Sequence, residues 1–598
     1  MTEKDLRDRG WDQLDIILVT GDAYVDHPSY GAAVIGRVLE NAGYKVGIIA
    51  QPNWRNNSDF TRLGKPRLFF GVTAGNVDSM IANYTANKKP RNEDDYSCGG
   101  KIGLRPDRAT LVYCTRLRDV FGKVPIVIGG LEASMRRLAH YDYWDHAVRA
   151  SILADARADI LVYGMGERQV LEIADRLNRG EAAVELNNIR GTVVQRENAD
   201  FIKDPVILPS FDQVRGDFEQ FNRAFRLAYE SQNPLTSRAL VQPHYKSVII
   251  HFPPAEPFNA CELDRIFELP YTRQWHPSYN ACGGVKGLET VKFSIISHRG
   301  CCGECAFCGL YLHQGRIVQS RTQESIFREA QGLAKLPDFK GMISDIGGPT
   351  VNMYLSNCPA WKKNTFCKDK NCLMPHKCPN LELEYDQSLA LYARIRQIPK
   401  VKYVFLGSGF RYDLFCGSDG ERFLRELCKH YISGQMKVAP EHACDGVLRL
   451  MNKPPLKKYE HFRAQFNRAI SGLDKKLYLV NYFISAHPGS SMAEAESMYR
   501  YLVKHGIHSE QTQDFIPLPM TLSAAMYWTG RHPFTGEGVY VARTFHERKV
   551  QRALLQYKNP LNRKFLHEVF RETEGGKRIG IKKARSHVQV KNRKNRRR

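Results

Sequence analysis

The sequence Arg299-Gly300-Cys301-Cys302-Gly303-Glu304-Cys305-Ala306-Phe307-Cys308 decides how this chain is interpreted. Cys301, Cys305 and Cys308 have the spacing C-x3-C-x2-C. Three thiolates on one short loop can bind three irons of a [4Fe-4S] cube, which leaves the fourth iron without a nearby protein ligand. In zinc proteins, catalytic sites keep one coordination position free of protein ligands, whereas structural sites fill all of them. By analogy, an iron without a protein ligand indicates a reactive site. The alternative is a zinc knuckle formed by Cys302, Cys305 and Cys308, or a bare C-x2-C pair.

The apolar run at residues 290–297 predicts a strand that leads into this loop. The strand, the cysteine spacing and Phe307 together resemble the radical S-adenosylmethionine (radical SAM) superfamily. In that superfamily the open iron binds the amino and carboxylate groups of S-adenosylmethionine (SAM), and one electron from the reduced cluster splits SAM into methionine and a 5′-deoxyadenosyl radical. The resemblance implies that Cys301, Cys305 and Cys308 hold the cluster and that Phe307 lies beside the cofactor. It also implies a flavodoxin- or ferredoxin-type protein as the reductant. Cys302 is then not a ligand of the cluster.

The composition is that of an ordinary globular protein. With 598 residues, 43% hydrophobic and 25% charged, the chain is long enough for two or more domains. It has no run of 18 apolar residues, and residues 1–7 lack the apolar region of a signal peptide, so we expect a cytoplasmic protein without a membrane segment. In such a chain, clustered cysteines indicate metal or redox chemistry rather than disulfides.

The net charge is +24, and residues 577–598 carry 11 Lys or Arg and no acidic residue. Removing this segment leaves +13 on the rest of the chain, so the basic character is not only a property of the tail. The tail has too few apolar residues to pack and is predicted to be disordered. It could attract RNA or ribosomes by releasing phosphate counterions, and a solvated tail without specific affinity is an equal alternative.

The N-terminal part is predicted to be a Rossmann-like domain over residues 1–185. Apolar runs at residues 15–20, 45–50, 67–72, 125–130 and 159–164 alternate with helical patterns, as in a doubly wound parallel sheet. The loops at residues 127–132 and 163–167 resemble those of the cobalamin-binding-like domain that precedes many radical SAM barrels. Asp26-His27-Pro28-Ser29-Tyr30-Gly31 does not meet the Asp-x-His-x-x-Gly pattern of proteins that supply a lower axial ligand. Cobalamin stays open, but a vestigial or substrate-presenting domain is favoured.

Residues 186–285 have an irregular pattern and are predicted to be a connector. Residues 286–555 alternate between strand-like and helical runs and are predicted to form a partial or full βα (TIM-like) radical SAM barrel, followed by the basic tail at 556–598. The fold class is therefore α/β. In βα barrels, active sites gather at the C-terminal ends of the strands.

Several residues at predicted strand ends are candidates for SAM contacts. Gly347 and Gly348 occupy the place of the superfamily's Gly-Gly-Glu motif, whose backbone binds the amino group of SAM, but Pro349 replaces the glutamate. Ser408, Arg411 and Glu441 are candidates for contacts to the ribose or the carboxylate. Ordinary salt bridges in loops explain these three equally well.

A second cysteine group consists of Cys358, Cys367, Cys372 and Cys378, separated by 8, 4 and 5 residues. Four cysteines spaced by lysine, asparagine and proline rather than by core residues are typical of a metal loop. The spacings fit neither a zinc ribbon nor the common ferredoxin patterns closely. Zinc and an auxiliary Fe-S cluster are equally favoured, and free thiols are the third alternative.

A wider set of motifs, from Gly71 to Gly530, resembles the YgiQ family of radical SAM proteins, for which no substrate is settled. It includes Arg321 and the runs 438–442, 451–454, 485–489 and 513–519. The sequence thus predicts reductive cleavage of SAM and hydrogen abstraction from an unknown substrate. The alternatives are an RNA-binding Fe-S or zinc protein without radical chemistry and a cluster protein serving only electron transfer. Within the enzyme class, methyl or methylthio transfer to RNA is the leading subtype, and peptide or small-metabolite substrates are equally open.

Overall fold

The computed structural model describes residues 2–363, 367, 371–509 and 512–574, and its N-terminal half is built on one large sheet. The strands of this half are β1 (Ile16–Thr20), β2 (Val25–Asp26), β3 (Val46–Ala50), β4 (Phe69–Thr73), β5 (Ile126–Gly129), β6 (His140–Asp142), β7 (Ala147–Arg149), β8 (Ile160–Val162), β9 (Thr192–Arg196), β10 (Val206–Ile207), β11 (Leu240–His244), β12 (Ser247–His251) and β13 (Gln274–Trp275). Nine of them form the sheet, in the order β10-β11-β12-β9-β8-β5-β4-β1-β3.

The strands β3, β1, β4, β5 and β8 are parallel to one another. Every residue of β1 is buried, because helices cover both faces of the sheet. Ile17 and Val19 contribute to the hydrophobic core on one face, and Ile16 and Leu18 to the core on the other. The predicted Rossmann-like sheet is therefore confirmed, and its strand order reverses between β1 and β4.

The structure corrects two of the predicted segment descriptions. Residues 186–285 are not an irregular connector, because β9 to β12 extend the sheet with mostly antiparallel pairings and β13 pairs with β2. A disulfide between Cys98 and Cys282 also links this segment to the sheet domain. Part of the predicted tail is a helix at Arg563–Glu574, whereas residues 575–598 lie outside the described residues.

The helices alternate with the strands along the chain. They are α1 (Glu3–Asp8), α2 (Gly31–Asn41), α3 (Ser58–Thr61), α4 (Ser79–Asn83), α5 (Ala109–Phe121), α6 (Gly130–Met135), α7 (Ile152–Ala156), α8 (Glu167–Asn178), α9 (Phe211–Gly216), α10 (Phe218–Glu230), α11 (Ala260–Phe267), α12 (Lys286–Val291), α13 (Leu310–Gln314), α14 (Gln323–Lys335), α15 (Pro359–Lys362), α16 (Tyr385–Arg396), α17 (Gly417–Glu426), α18 (Asp445–Leu450), α19 (Leu456–Ile470), α20 (Met492–Lys504), α21 (Leu522–Thr529), α22 (Phe545–Leu555) and α23 (Arg563–Glu574). None of the described helices is long and apolar enough to span a membrane.

The C-terminal half is an arc of short strands with helices outside it. Its strands are β14 (Ser294–Ile296), β15 (His298–Arg299), β16 (Gln319–Ser320), β17 (Met342–Ile343), β18 (Asp345–Gly347), β19 (Tyr403–Val404), β20 (Gln435–Glu441), β21 (Tyr478–Ser485) and β22 (Thr512–Asp514). The pairs β14–β18 and β17–β19 and the group β20-β21-β22 are all parallel. The alternation of strands and helices predicted for this region is confirmed, and the strands form a partial βα barrel around a hydrophobic core that includes Ile295, Ile346 and Phe483.

Candidate active site

The cysteine loop begins directly after β15 and is fixed by its backbone. Gly300 has φ +83°, and a Cβ there would lie 2.1 Å from the carbonyl oxygen of Ile317, so only glycine fits. The amide of Cys301 donates to Gly315 O at 3.1 Å, and the amide of Cys308 donates to Cys305 O at 3.0 Å. These contacts fix the path of the backbone between the cysteines.

The thiols of Cys301, Cys305 and Cys308 lie within electrostatic range of one another. Burial raises the pKa of Cys301 to about 11, against the opposing effect of Arg411. Burial and the two neighbouring thiols raise the pKa of Cys308 to about 12. No three His, Cys, Asp or Glu side chains among the described residues are close enough to hold a metal ion as they stand. The donor set nevertheless suits an iron cluster, because three crowded thiolates need a cation to stabilise them.

Arg411 lies against this loop rather than free at the barrel mouth. One guanidinium nitrogen donates to Cys305 Sγ at 3.5 Å. The other two donate to the carboxylate of Asp413 at 3.0 and 2.7 Å. Arg411 is thus held by Cys305 and Asp413, and its contact to the ribose or the carboxylate stays a prediction.

Gly347 and Gly348 lie at the end of β18, next to β14, as predicted from the motif. Gly347 O accepts a hydrogen bond from the amide of Ser297 at 2.7 Å. A Cβ at position 348 would fall within 2.8 Å of the His298 ring, so Gly348 leaves room for this histidine. His298 is fully buried, and its Nε2 atom has no hydrogen-bond partner among the described residues.

Ser408 is fixed to the same strand end by Asp345. The carboxylate of Asp345 accepts hydrogen bonds from the amides of Gly407 and Ser408, at 2.8 and 3.1 Å, and from the Ser408 hydroxyl. Burial raises the pKa of Asp345, while the hydrogen bonds from Ser408 and Gly407 oppose this effect. Ser408 therefore supports the glycine loop, and its hydroxyl proton is already donated.

Phe307 packs between the cysteine loop and the barrel. Its ring meets the His487 ring edge-on, with the centroids 6.1 Å apart. The neighbouring Ala306 amide donates to Met451 O at 2.9 Å, and Ala306 O accepts from the Ser523 amide at 2.9 Å. Phe307 thus contributes to an apolar wall beside the thiols.

Glu441 ends β20 at a β-bulge and has φ +69°. Bulges re-aim side chains and occur often beside active sites. Its carboxylate lies 3.9 Å from the ammonium nitrogen of Lys453. The sequence marks Lys453 only as part of the run 451–454, without a role at the site, and it gives His298 no mark although this residue directly precedes the cysteine loop.

The second cysteine group lies beside the first. Cys358 is buried, and Cys372 and Cys378 are half-buried. Cys302 is buried, its thiol lies 3.9 Å from Met353 Sδ, and it packs in one apolar cluster with Cys372 and Cys378, beside the second loop. Cys367 is exposed, and residues 364–366 and 368–370 around it lie outside the described residues. The second metal site stays a prediction.

A cavity of about 720 Å³ separates the sheet domain from the barrel. It lies at the carboxyl ends of β1 and β4, where the strand order reverses, which is the usual ligand site of open α/β sheets. Glycines from both halves line it: Gly31, Gly75, Gly129, Gly130, Gly164, Gly166, Gly347 and Gly348. Arg299, Glu167 and His298 also line it, and Arg299 forms a buried ion pair with Glu167 at 2.7 Å.

His27, the histidine of the Asp26-His27 loop, is used within the protein. Its Nδ1 atom accepts from the Ser29 amide at 3.0 Å, and its Nε2 atom lies 2.9 Å from an Arg273 nitrogen. It is fully buried and does not line the cavity. This agrees with the absence of the axial-ligand pattern in the sequence.

Comparison with known proteins gives the family. Residues 1–294 match the family described as Radical SAM N-terminal, and residues 510–595 match a domain of unknown function, DUF3362. A UPF0313 protein of Methanocella arvoryzae is 50% identical over 562 residues, covering 94% of this chain and 93% of its own. A UPF0313 protein of Clostridium botulinum is 47% identical over 557 residues, covering 93% and 86%.

Two solved structures are similar at low sequence identity. The radical SAM methyltransferase TsrM of Kitasatospora setae has a TM-score of 0.47 and 15% identity, covering 85% of this chain and 75% of its own. The cobalamin-dependent SAM radical enzyme OxsB has a TM-score of 0.46 and 10% identity, covering 87% and 56%. Taken with the close relatives and the geometry of the cysteine loop, the sequence match is decisive: the chain belongs to the UPF0313 family of the radical SAM superfamily.

Proposed function

We propose that this protein is an enzyme that cleaves SAM reductively at a [4Fe-4S] cluster held by Cys301, Cys305 and Cys308. The observation that carries the proposal is that these three thiols share one backbone-fixed loop directly after β15, where Arg411 donates a hydrogen bond to Cys305. When bound, the cluster supplies the electron that splits SAM into methionine and a 5′-deoxyadenosyl radical. The substrate of that radical is not identified by any residue described here.

The residues around the loop determine how the negative charge of the thiolates is stabilised. Burial makes the free thiolates unfavourable, so a bound cation is needed to deprotonate them. Arg411 offsets part of the remaining negative charge through its hydrogen bond to Cys305. Asp413 keeps the guanidinium in place.

The same strand ends position the cofactor and exclude water. The backbone of Gly347 and Gly348 is the surface that the resemblance assigns to the amino group of SAM, and Asp345 and Ser408 hold it rigid. Phe307 and His487 form an apolar wall beside the thiols. Rigid positioning and exclusion of water are the protein's part in cofactor chemistry of this kind.

The test is anaerobic reconstitution with iron and sulfide, followed by iron analysis and electron paramagnetic resonance (EPR) of the reduced protein. The wild type should bind about four irons at the first site, and its spectrum should change when SAM is added. Cys305→Ala should lose this signal. Cys302→Ala is the matched control and should retain it, because Cys302 lies beside the second loop. An unchanged SAM-sensitive signal in Cys305→Ala would contradict the assignment.

A second candidate property is cobalamin binding in the cavity between the sheet domain and the barrel. The site lies at the switch point of the sheet, its volume is in the upper range of ligand pockets, and its glycines leave wide backbone surfaces. Its arginine is already paired with Glu167, so the site favours a largely uncharged ligand. The Nε2 atom of His298 and one oxygen of Glu167 lack hydrogen bonds among the described residues and suit a ligand that brings amide donors.

Hydroxocobalamin is the probe for this candidate. Co-elution with the protein in gel filtration at a 1:1 ratio would support it, and a visible spectrum that differs between wild type and His298→Ala would place the ligand beside His298. Passage of hydroxocobalamin separately from the protein would contradict it. RNA as a substrate, methyl or methylthio transfer and a flavodoxin- or ferredoxin-type reductant stay predictions from the sequence.

A further inference from the structure

The inner face of the arc of barrel strands lacks a covering layer. Successive side chains of a strand point to opposite sides, and on β17, β19, β20 and β21 one side packs with the helices in the hydrophobic core. Asn481 of β21 lies on that helix side, where Tyr459 of α19 donates to its side chain at 2.6 Å. The opposite, inner side is formed by Met342, Tyr403, Phe405, Lys437, Tyr478, Val480 and Tyr482. None of these seven belongs to a hydrophobic cluster of the described residues.

The amino-terminal end of this inner face presents exposed aromatic rings. Tyr478 is 59% exposed, Tyr403 is 58% exposed and Met342 is 45% exposed. Met342 and Tyr403 are neighbours across β17 and β19, and the ring of Tyr403 stacks on that of Phe405 with the centroids 5.6 Å apart. Apolar side chains exposed together on one face, rather than singly, indicate a binding surface.

Lysines surround the exposed end of the inner face. Residues 336–341, 397–402 and 471–477, which precede β17, β19 and β21, contain two acidic residues, Asp338 and Asp474, and five lysines: Lys340, Lys400, Lys402, Lys475 and Lys476. Because these strands run parallel, the three segments lie at the same edge of the arc. Asp338 is already paired with Lys292, and Lys475 donates to Ile432 O at 3.0 Å. The other four lysines form no ion pair with a described residue, so the edge suits a polyanion.

The inner face leads from this edge to the cysteine loop. Along β21, the side of Tyr478 continues through Tyr482 to Ile484, which belongs to the hydrophobic cluster against which Phe307 packs. The six residues from Tyr478 to Ile484 span about 20 Å of strand. A flexible chain that lies along β21 therefore reaches from the exposed edge to the thiols.

Lys437 extends the positive charge along the same face. It lies opposite Val480 in the register of β20 and β21, and its side chain has no ion pair among the described residues. Its charge is within electrostatic range of Asp345, the carboxylate that holds Ser408 beside the glycine loop. The inner face thus combines exposed rings with unpaired lysines from its edge to the site.

We propose that this inner face is the docking surface for single-stranded RNA, with bases stacked on Tyr403 and Tyr478 and phosphates beside Lys402 and Lys476. Aromatic rings interleaved with lysines suit such a strand, because every base has a face that stacks and every phosphate attracts a cation. An acidic peptide would use the lysines but not the rings. RNA is favoured over DNA because its loops present unstacked bases. Docking does not depend on the cluster, whereas use of the docked RNA as the substrate rests on the proposed function.

The test is the affinity of the full-length protein for a fluorescein-labelled single-stranded RNA of about 12 nucleotides, measured by fluorescence anisotropy. Tyr403→Ala and Tyr478→Ala should each weaken binding about tenfold, because each removes a stacking ring. Tyr245→Ala is the matched control and should leave the affinity within twofold, since Tyr245 is 67% exposed in the turn between β11 and β12. The basic tail is present in every variant, so it cannot produce a difference between them.

The salt dependence of binding tests the lysines. Lys402→Gln should reduce the slope of log affinity against log salt concentration by roughly 0.7, the value for one phosphate contact of a single strand. Lys457→Gln removes an exposed lysine on α19, on the helix side of the arc, and should leave the slope unchanged. Equal slopes for Lys402→Gln and the wild type would contradict the contact between Lys402 and phosphate.

Several results would overturn the docking surface. They are equal RNA affinity of the wild type, Tyr403→Ala and Tyr478→Ala, and equally strong binding of single-stranded DNA of the same sequence or of oligoglutamate. Crosslinks from 4-thiouridine in the RNA should map to β19 and β21 of the wild type, and crosslinks confined to other segments would overturn the surface even if the variants failed to fold. A wild-type protein that binds RNA here but forms no 5′-deoxyadenosine would contradict the proposed function instead.

Discussion

The guanidinium of Arg411 donates a hydrogen bond to the Sγ atom of Cys305 across 106 residues of sequence, with nitrogen and sulfur 3.5 Å apart. Arg411 is buried and is held from its other side by Asp413. Hydrogen bonds to the sulfur ligands are one of the means by which a protein sets the potential of an Fe-S cluster. Arg411, in the loop that follows β19, can therefore influence the reduction potential of the cluster and hence the electron transfer that starts the proposed reaction.

Arg411→Gln should lower the reduction potential of the cluster. The positive charge and the N–H···S hydrogen bond favour the reduced, more negative cluster, so their loss should shift the midpoint on the order of 50 mV downward, close to a tenfold change in the one-electron equilibrium. EPR-monitored redox titration measures the shift. Arg422→Gln, which removes an exposed arginine, is the control and should leave the potential unchanged. Equal potentials in the two variants would refute the role of Arg411.

Gly348→Ala should destabilise the protein by about 1–3 kcal/mol, because the new methyl group would overlap the buried His298 ring. Urea denaturation of the apoprotein measures this directly. Combining Gly348→Ala with His298→Ala should restore part of the loss, since the smaller side chain makes room for the methyl group. Strictly additive losses in the double variant would show that position 348 is constrained by something other than His298.

The ion pair between Glu167 and Arg299 connects the sheet domain to the cysteine loop, and breaking it should destabilise the protein. Both side chains are buried, and Arg299 precedes Cys301 by only two residues. Glu167→Gln should cost about 3–5 kcal/mol, because it leaves the arginine charge buried without its partner. Adding Arg299→Met should recover part of this free energy of unfolding. If Glu167→Gln alone had no effect in urea denaturation, the pair would not couple the two halves.

The protein should lose stability as the pH falls below about 6.5. Burial lowers the pKa of His298 and His442 to about 4 and that of His487 to about 3. The unfolded chain protonates these histidines first, so each contributes stability that is complete above its ordinary pKa and is lost at ~1.4 kcal/mol per pH unit on acidification.

Denaturation midpoints between pH 7 and pH 4 test this dependence. His487→Gln should reduce the proton uptake on unfolding by about one near pH 5. His461→Gln, at an exposed position, is the control for the effect of the substitution itself. Identical slopes for the wild type and His487→Gln would be inconsistent with a neutral, buried His487.

The sequence predicted the parts of this protein whose signal is local. The runs around Ile17, Ile48, Phe70, Ile128 and Leu161 are almost continuously apolar because both faces of a parallel sheet are covered, so their strands were found within a few residues. The strands β9 to β12 are not evident from the sequence, because polar residues and Pro243 interrupt their apolar runs and they lie outside the regular alternation of parallel strands and helices.

The site was predictable only where a motif marked it. The cysteines and Gly347-Gly348 carry a recognisable spacing, and the structure places them at neighbouring strand ends. His298 has no such mark, since its buried Nε2 atom, without a hydrogen-bond partner among the described residues, depends on the packing of distant segments. Arg411 lies near the site, as the sequence predicts. Its ion pair with Asp413 could not be predicted, because nothing in the sequence distinguishes Asp413 from other acidic residues in loops.

The most direct test of the central claim is the formation of 5′-deoxyadenosine from SAM by the reconstituted protein with dithionite under anaerobic conditions. We predict that the wild type and Cys302→Ala produce it and that Cys305→Ala does not. A wild-type protein with a verified [4Fe-4S] cluster that forms no 5′-deoxyadenosine, or a Cys305→Ala variant that forms it at the wild-type rate, would contradict the account.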